Sequence, residues 1–203
     1  MPRPRSLTPT AIAAAALAVI DRDGLPALTM RAVAKELHMA TMALYRYVPD
    51  RDGLEALVVD EIFQAIDVSP PPERDWRDRA AALLTRVRDA AAAHPDAVPL
   101  LLRHRQSSVG SLAWIEAMLT VLTDAGFDGR DRVIAQRTLI GFMLGFLQNA
   151  HYASLAGAGT AAMVNLSQAD YPHLSRTAAD AQKVSAVDEF RGGLEIVLRG
   201  LTP

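Results

Sequence analysis

Between residues 28 and 54 the chain is punctuated too often for one long element to form. Leu28-Thr29 opens a short segment in which Met30, Val33, Ala34 and Leu37 fall at i, i+3, i+4 and i+7, one face of a helix. Thr29 has the side-chain oxygen that caps such a helix. The stripe breaks at a tight turn, His38–Ala40. It resumes over about Thr41–Tyr47 and stops before Pro49, whose ring disfavours a helical residue in front of it. Asp50 then caps a longer stripe, about 51–66, on Leu54, Leu57, Val58, Ile62 and Ile66. Two short helices, a tight turn and a supporting helix make a helix-turn-helix. A plain helical hairpin inside a bundle has the same spacing, so the geometry alone leaves both readings open.

The rest of the chain also reads as helix. Residues 8–24 form a helix capped by Thr8, with Pro9 in its first turn, Gly24 at its end and a stripe on Ile12, Ala13, Ala16, Leu17 and Ile20. Ser69-Pro70-Pro71-Pro72-Glu73 favours an extended connector. We place a domain boundary there, giving 1–67 and 68–203. Beyond it the pattern predicts helices over about 74–93, 109–125, 130–155 and 185–200, with a short segment at 96–105. The stretch AGAGT at 156–160 reads as loose, and the polar residues on to about 183 as ill-defined. No strand alternation occurs. The expected fold is all-α: an N-terminal three-helix helix-turn-helix domain and a larger helical domain.

Composition narrows the chemistry. The 203 residues contain no Cys, which excludes disulfides, thiolate metal sites and a Cys nucleophile, and agrees with a reducing compartment. The apolar run Ala11–Ile20 is short of the roughly 20 residues a spanning helix needs, and Thr138–Ala150 is too. No signal peptide is visible, so a soluble cytoplasmic protein is expected. The five histidines (His38, His94, His104, His151, His173) form no metal pair on one helix face, and no phosphate loop or nucleophile elbow occurs. An enzyme is not expected, nor is a cofactor or a metal. Residues 1–48 carry six Lys/Arg against three Asp/Glu, a net of +3, which leaves −5 for the rest of a chain of net −2. A basic head on an acidic body suits a head that meets phosphates.

If the helix over 41–47 is a reading helix, it must bury one face and bare the other. Met39, Leu44 and Val48 are the expected buried set. Thr41, Met42, Ala43, Arg46 and Tyr47 are the expected exposed set. Small side chains at 41 and 43 let the backbone approach DNA. Arg46 can reach a guanine edge or a phosphate, and Tyr45 can donate its hydroxyl to a phosphate.

The run LTMRAVAKELHMATMALYRYVPDRDGL at 28–54 resembles the DNA-binding motif of the TetR family of one-component repressors. The matches are Leu28, Thr29 and Arg31, the Ala34-x-x-Leu37 spacing, Leu44-Tyr45 followed by Tyr47-Val48, and the turn through Asp50, Arg51 and Leu54. The resemblance implies backbone and outer-base contacts for Thr29 and Arg31. It implies base reading for Thr41, Met42, Ala43, Arg46 and Tyr47, and phosphate contacts for Tyr45 and Arg51. Arg3 and Arg5 would form an arm or a disordered tail. The chain departs from the family at His38, where most relatives have Gly in a left-handed turn. His is among the residues that tolerate positive φ, and we read His38 as a turn residue.

Further on, HPDAVPLLL at 94–102, AGFD at 125–128, YPHL at 171–174 and DEFRGGLEIVLRGL at 188–201 resemble the ligand-binding and dimerisation domain of the tetracycline-repressor branch. This implies a homodimer through the helices near 130–155 and 185–200, with Gly141 and Gly145 leaving room for close approach, on a palindromic double-stranded DNA operator. It also implies a small-molecule effector near Leu83, Val87, Leu101, His104, Arg105, Met118, Gln136 and Asn149. That branch chelates magnesium with tetracycline through a histidine and a carboxylate. Leu101 and Asn149 stand near those positions, so a metal–tetracycline complex is not expected.

Overall fold

The computed structural model of the chain describes residues 7–72, 74–106 and 108–203. Among them every regular element is a helix. The chain divides into two compact units, Met1–Thr120 and Val121–Pro203.

Side-chain caps set the helix starts in the first unit. The Thr8 hydroxyl accepts from the Ala11 amide at 3.1 Å, opening α1 (Pro9–Asp23). Its stripe is buried as expected, from Ile12 to Ile20. Gly24 ends it at φ 82°, a conformation natural to glycine. Thr29 accepts from the Ala32 amide at 3.0 Å, opening α2 (Met30–Glu36). Asp50 accepts from the Gly53 amide at 2.9 Å, opening α4 (Arg51–Gln64). Between them lies α3 (Thr41–Leu44), a single turn.

α1 packs along α4 and α2 against α3. α5 (Trp76–Ala93), α6 (Val98–His104) and the start of α7 (Val109–Asp124) complete this unit. α4 packs on α5 and α6 as well as on α1. The Trp114 indole donates to the Leu83 carbonyl at 3.1 Å, fixing α7 on α5. His94, after α5, meets Asp21 of α1 at 2.9 Å.

The second unit is built on α8 (Gly129–Tyr152) and α11 (Ala186–Gly200). Phe190 is their buried link, with ring centroids 5.0 Å from Phe146 and 5.6 Å from Phe142. The helices approach closely at Gly193, where a Cβ would lie 2.7 Å from the Phe142 ring. Gly141 and Gly145 play no such part: a Cβ there would meet nothing within 4 Å among the described residues.

The structure corrects four expectations. The helix expected over about Thr41–Tyr47 ends at Leu44, and residues 45–47 form a tightened turn in which the Tyr47 amide donates to the Leu44 carbonyl at 2.9 Å. Met39 is half-buried rather than buried. α8 ends at Tyr152, because Ala153 leaves the helical region at φ −146°. The stretch read as loose and ill-defined holds two helices, α9 (Ala158–Val164) and α10 (Pro172–Ala181), packed on each other. Pro172 suits a first helical turn, where its missing N–H costs nothing.

Candidate nucleic-acid interface and the charge network behind it

α2 ends in a Schellman turn. The His38 amide donates to the Lys35 carbonyl at 3.0 Å, and the Met39 amide to the Ala34 carbonyl at 2.9 Å. That turn needs a left-handed residue, and His38 provides it at φ 53°. Its sharpness throws α3 across α2.

α3 is anchored by very little. Leu44 and Val48 are buried to 0% and 2% exposure. Burying those two side chains contributes about 1.5–3 kcal/mol each. Around them the surface is bare: Met42 is 76% exposed, Tyr45 44% and Tyr47 49%. Arg46 is exposed, while Thr41 and Ala43 are half-buried. Thus Met42, Tyr45, Arg46 and Tyr47 are all open to solvent, while Thr41 and Ala43 are partly covered. Arg31 is exposed on α2, and Thr29 is exposed while its oxygen caps that helix. Its hydroxyl proton remains free for an acceptor such as a phosphate. Arg3 and Arg5 lie outside the described residues.

Arg51 is placed differently. Its Nε donates to Glu55 Oε1 at 2.9 Å, and its Nη2 reaches the Leu25 carbonyl at 3.4 Å. Glu55 is buried, at 3% exposure. Its second oxygen accepts from Arg103 Nη1 at 2.8 Å and lies 3.0 Å from His104 Nε2, both on α6. Burial pushes the Glu55 carboxyl up. The hydrogen bonds from Arg51 and His104, with the charges of Arg103 and Arg51, outweigh burial and hold it below the usual carboxylate range. Sequence reasoning missed Glu55 altogether.

Asp52, Glu55 and His104 each bring a ligand atom within 4.8 Å of the others, close enough to hold a metal ion. Arg51 and Arg103 already occupy both Glu55 oxygens, and the site sits at the positive end of α4. A cation there would meet two guanidinium groups. The arrangement is a balanced ion network.

The expected effector residues fall into two groups. Leu83, Val87, Leu101 and Met118 are buried in the first unit on α5, α6 and α7. His104 is committed to Glu55, and Arg105 is half-buried with Nη1 donating to the Leu102 carbonyl at 2.6 Å. Gln136 is half-buried and Asn149 exposed, both on α8. An open cavity of about 510 Å³ lies between α1, α4 and α5, lined by residues such as Leu17, Ile62, Ile66 and Ala90. None of the eight expected residues lines it.

Residues 12–56 match the family described as "Bacterial regulatory proteins, tetR family", and residues 69–203 match "Tetracyclin repressor-like, C-terminal domain". The chain belongs to the TetR family. TetR-family proteins are transcriptional regulators. The chain is 32% identical over 157 residues to the HTH-type transcriptional repressor DrrR1 of Streptomyces coeruleorubidus, covering 74% of this chain and 56% of that one. Its fold matches the Streptomyces coelicolor TetR-family protein ActR in complex with (S)-DNPA, with TM-score 0.82, 25% identity and 96% of each chain covered. It also matches BioQ solved with its double-stranded DNA operator, with TM-score 0.71, 25% identity and 97% and 98% of the two chains covered. Among the described residues no helix is long and apolar enough to cross a membrane.

Proposed function

We propose that this TetR-family chain is a homodimeric cytoplasmic repressor. It binds a palindromic operator and is released by a small molecule. The observation that carries this reading is the open face of α3, where Met42, Tyr45, Arg46 and Tyr47 surround two buried anchors. None of these four side chains is buried in its own domain.

The proposed contacts are sorted by chemistry. Arg46 and Tyr47 read bases, with Thr41, Met42 and Ala43 fixing how closely the backbone approaches. Tyr45, Thr29, Arg31 and Arg51 grip phosphates and the outer bases. The domain boundary is placed at about 67. The effector site rests on the buried walls Leu83, Val87, Leu101 and Met118, and apolar walls of this sort suit a drug-sized molecule. Catalysis plays no part in this reading.

Dimerisation uses α8 and α11. Ile134, Gly141, Gly145 and Tyr152 recur along one side of α8, where Ile134 is 45% and Tyr152 64% exposed. Ile196 of α11 is 65% exposed. With nothing among the described residues within 4 Å of a Cβ at Gly141 or Gly145, that small surface suits a second copy. Two copies then place their α3 helices in successive major grooves, about 34–36 Å apart. A small tilt of α4 spoils that separation and weakens binding.

A gel-shift with the DNA flanking its own gene tests the reading. A specific shift that competes with unlabelled palindrome supports it. The absence of any specific shift at low salt overturns it. Thermal-shift screening against small molecules tests the effector: a compound that raises the melting point and abolishes the gel-shift supports release by ligand.

A further inference from the structure

We infer that Glu55 is a positioning residue for DNA binding, assigning one carboxylate oxygen to Arg51 at the DNA-facing end of α4 and the other to Arg103 and His104 on α6. The inference rests on the repressor reading and deepens it, naming the group through which α6 sets the aim of a phosphate-gripping side chain.

The two oxygens of Glu55 have separate duties. Oε1 takes Arg51 Nε at 2.9 Å, within the first turn of α4. Oε2 takes Arg103 Nη1 at 2.8 Å and faces His104 Nε2 at 3.0 Å, from residues 48 and 49 positions further along the chain. A carboxylate is rigid and planar, so pulling one oxygen turns the other. Glu55 is 3% exposed, so water cannot replace a lost partner. The partners at the two ends differ from it: the Arg51 and Arg103 side chains are 47% and 60% exposed and reach the surface. A buried anion held by cations from two helices couples the position of one to that of the other.

The geometry at Arg51 suits this role. Its Nε is spent on Glu55 and its Nη2 leans on the Leu25 carbonyl. The remaining N–H groups of the fork stay open for a phosphate, in a direction that Glu55 fixes. Asp52 lies 3.7 Å from His104 Nε2, so α6 meets Asp52 in the first turn of α4 as well as Glu55 one turn on. A shift of α6 therefore reaches Arg51 through a single buried carboxylate.

The test uses the full-length dimer and the flanking operator DNA, with affinity measured by fluorescence anisotropy over a range of salt. R51Q removes the phosphate contact. R103Q alters an exposed residue of α6 that takes no part in the proposed DNA contacts. R51Q is expected to weaken binding about tenfold and to lower the salt slope by about two, one per half-site. R103Q is expected to weaken binding about threefold to tenfold and to lower the slope in the same direction. The double variant should be no weaker than R51Q alone. Effects that multiply, an R103Q affinity within twofold of wild type, or an R103Q loss at an unchanged salt slope would overturn the role of Glu55. A wild-type chain that binds no flanking DNA overturns the repressor reading and this inference together. A wild-type chain that binds, with no coupling between 51 and 103, overturns only the latter.

Discussion

The carboxylate of Asp60, midway along α4, accepts the backbone amide of Gly110 at 3.0 Å. The same oxygen accepts the Ser108 hydroxyl at 2.9 Å, and Ser108 in turn caps α7 through the Ser111 amide at 3.2 Å. One acidic side chain of α4 thus pins the start of α7. The fit is close: a Cβ on Gly110 would come within 2.9 Å of the Gln64 amide nitrogen. Gly110→Ala should push α7 off α4 at a cost of about 1–3 kcal/mol. Thermal denaturation should show a melting point lower by several degrees. An unchanged melting point would mean the contact is looser than drawn.

The reading surface should separate affinity from specificity. Arg46→Ala should weaken operator binding by about 1–3 kcal/mol and relax the preference at one base pair. Tyr45→Phe should weaken binding to all sequences alike, because a phosphate contact carries no base information. Anisotropy against an operator and its single-base variants distinguishes the two patterns.

His38 sits at φ 53°, where a side chain costs about 1–2 kcal/mol that glycine escapes. Glycine also loses more chain entropy on folding, about 0.5–1 kcal/mol. The net expectation for His38→Gly is a stability equal to or slightly above wild type, with operator binding retained. Urea denaturation measures the first and a gel-shift the second. A large loss of binding would show that the imidazole does more than fill the turn.

Glu55 should leave an acid signature. Its folded carboxyl lies below the ordinary value of 4.5 because Arg51, His104 and Arg103 outweigh burial. A depressed carboxylate contributes its stability above its unfolded value and loses it as pH falls through the folded one. Wild type should therefore exceed Glu55→Gln in stability near neutral pH. The gap should narrow as the pH falls below the ordinary value of 4.5. Denaturant midpoints measured across that window check it, and a gap constant with pH would contradict the assignment.

The dimer surface can be probed without touching the core. Gly141→Arg places a long side chain where nothing of the same chain lies within 4 Å. Helix propensity favours the change, so the fold should hold. Light scattering should show the mass falling from that of two chains to the 21.9 kDa of one. A dimer that persists would move the interface elsewhere.

What the sequence revealed, and what it concealed, follows from range. Thr8, Thr29 and Asp50 cap helices whose first amides lie three residues away, so local spacing exposes them. His38 was readable because a Schellman turn is a local event. Glu55 was not: its partners on α6 are 48 and 49 residues away, and nothing near it in the chain announces them. α10 was concealed for a different reason. Its buried side is made of Ser175 and Ala178, not of large apolar residues, so no stripe appears in the pattern. The reading helix was overdrawn because Tyr45, Arg46 and Tyr47 continue its spacing while the backbone has already tightened into a turn.

α3 is one helical turn fastened by Leu44 and Val48. The fold fully buries none of Met42, Tyr45, Arg46 or Tyr47. Such a lineage can therefore drift in what it recognises while its scaffold stands still. Duplicated copies can acquire different operators through a handful of exchanges, each invisible to folding. The economy of the anchor makes the specificity evolvable.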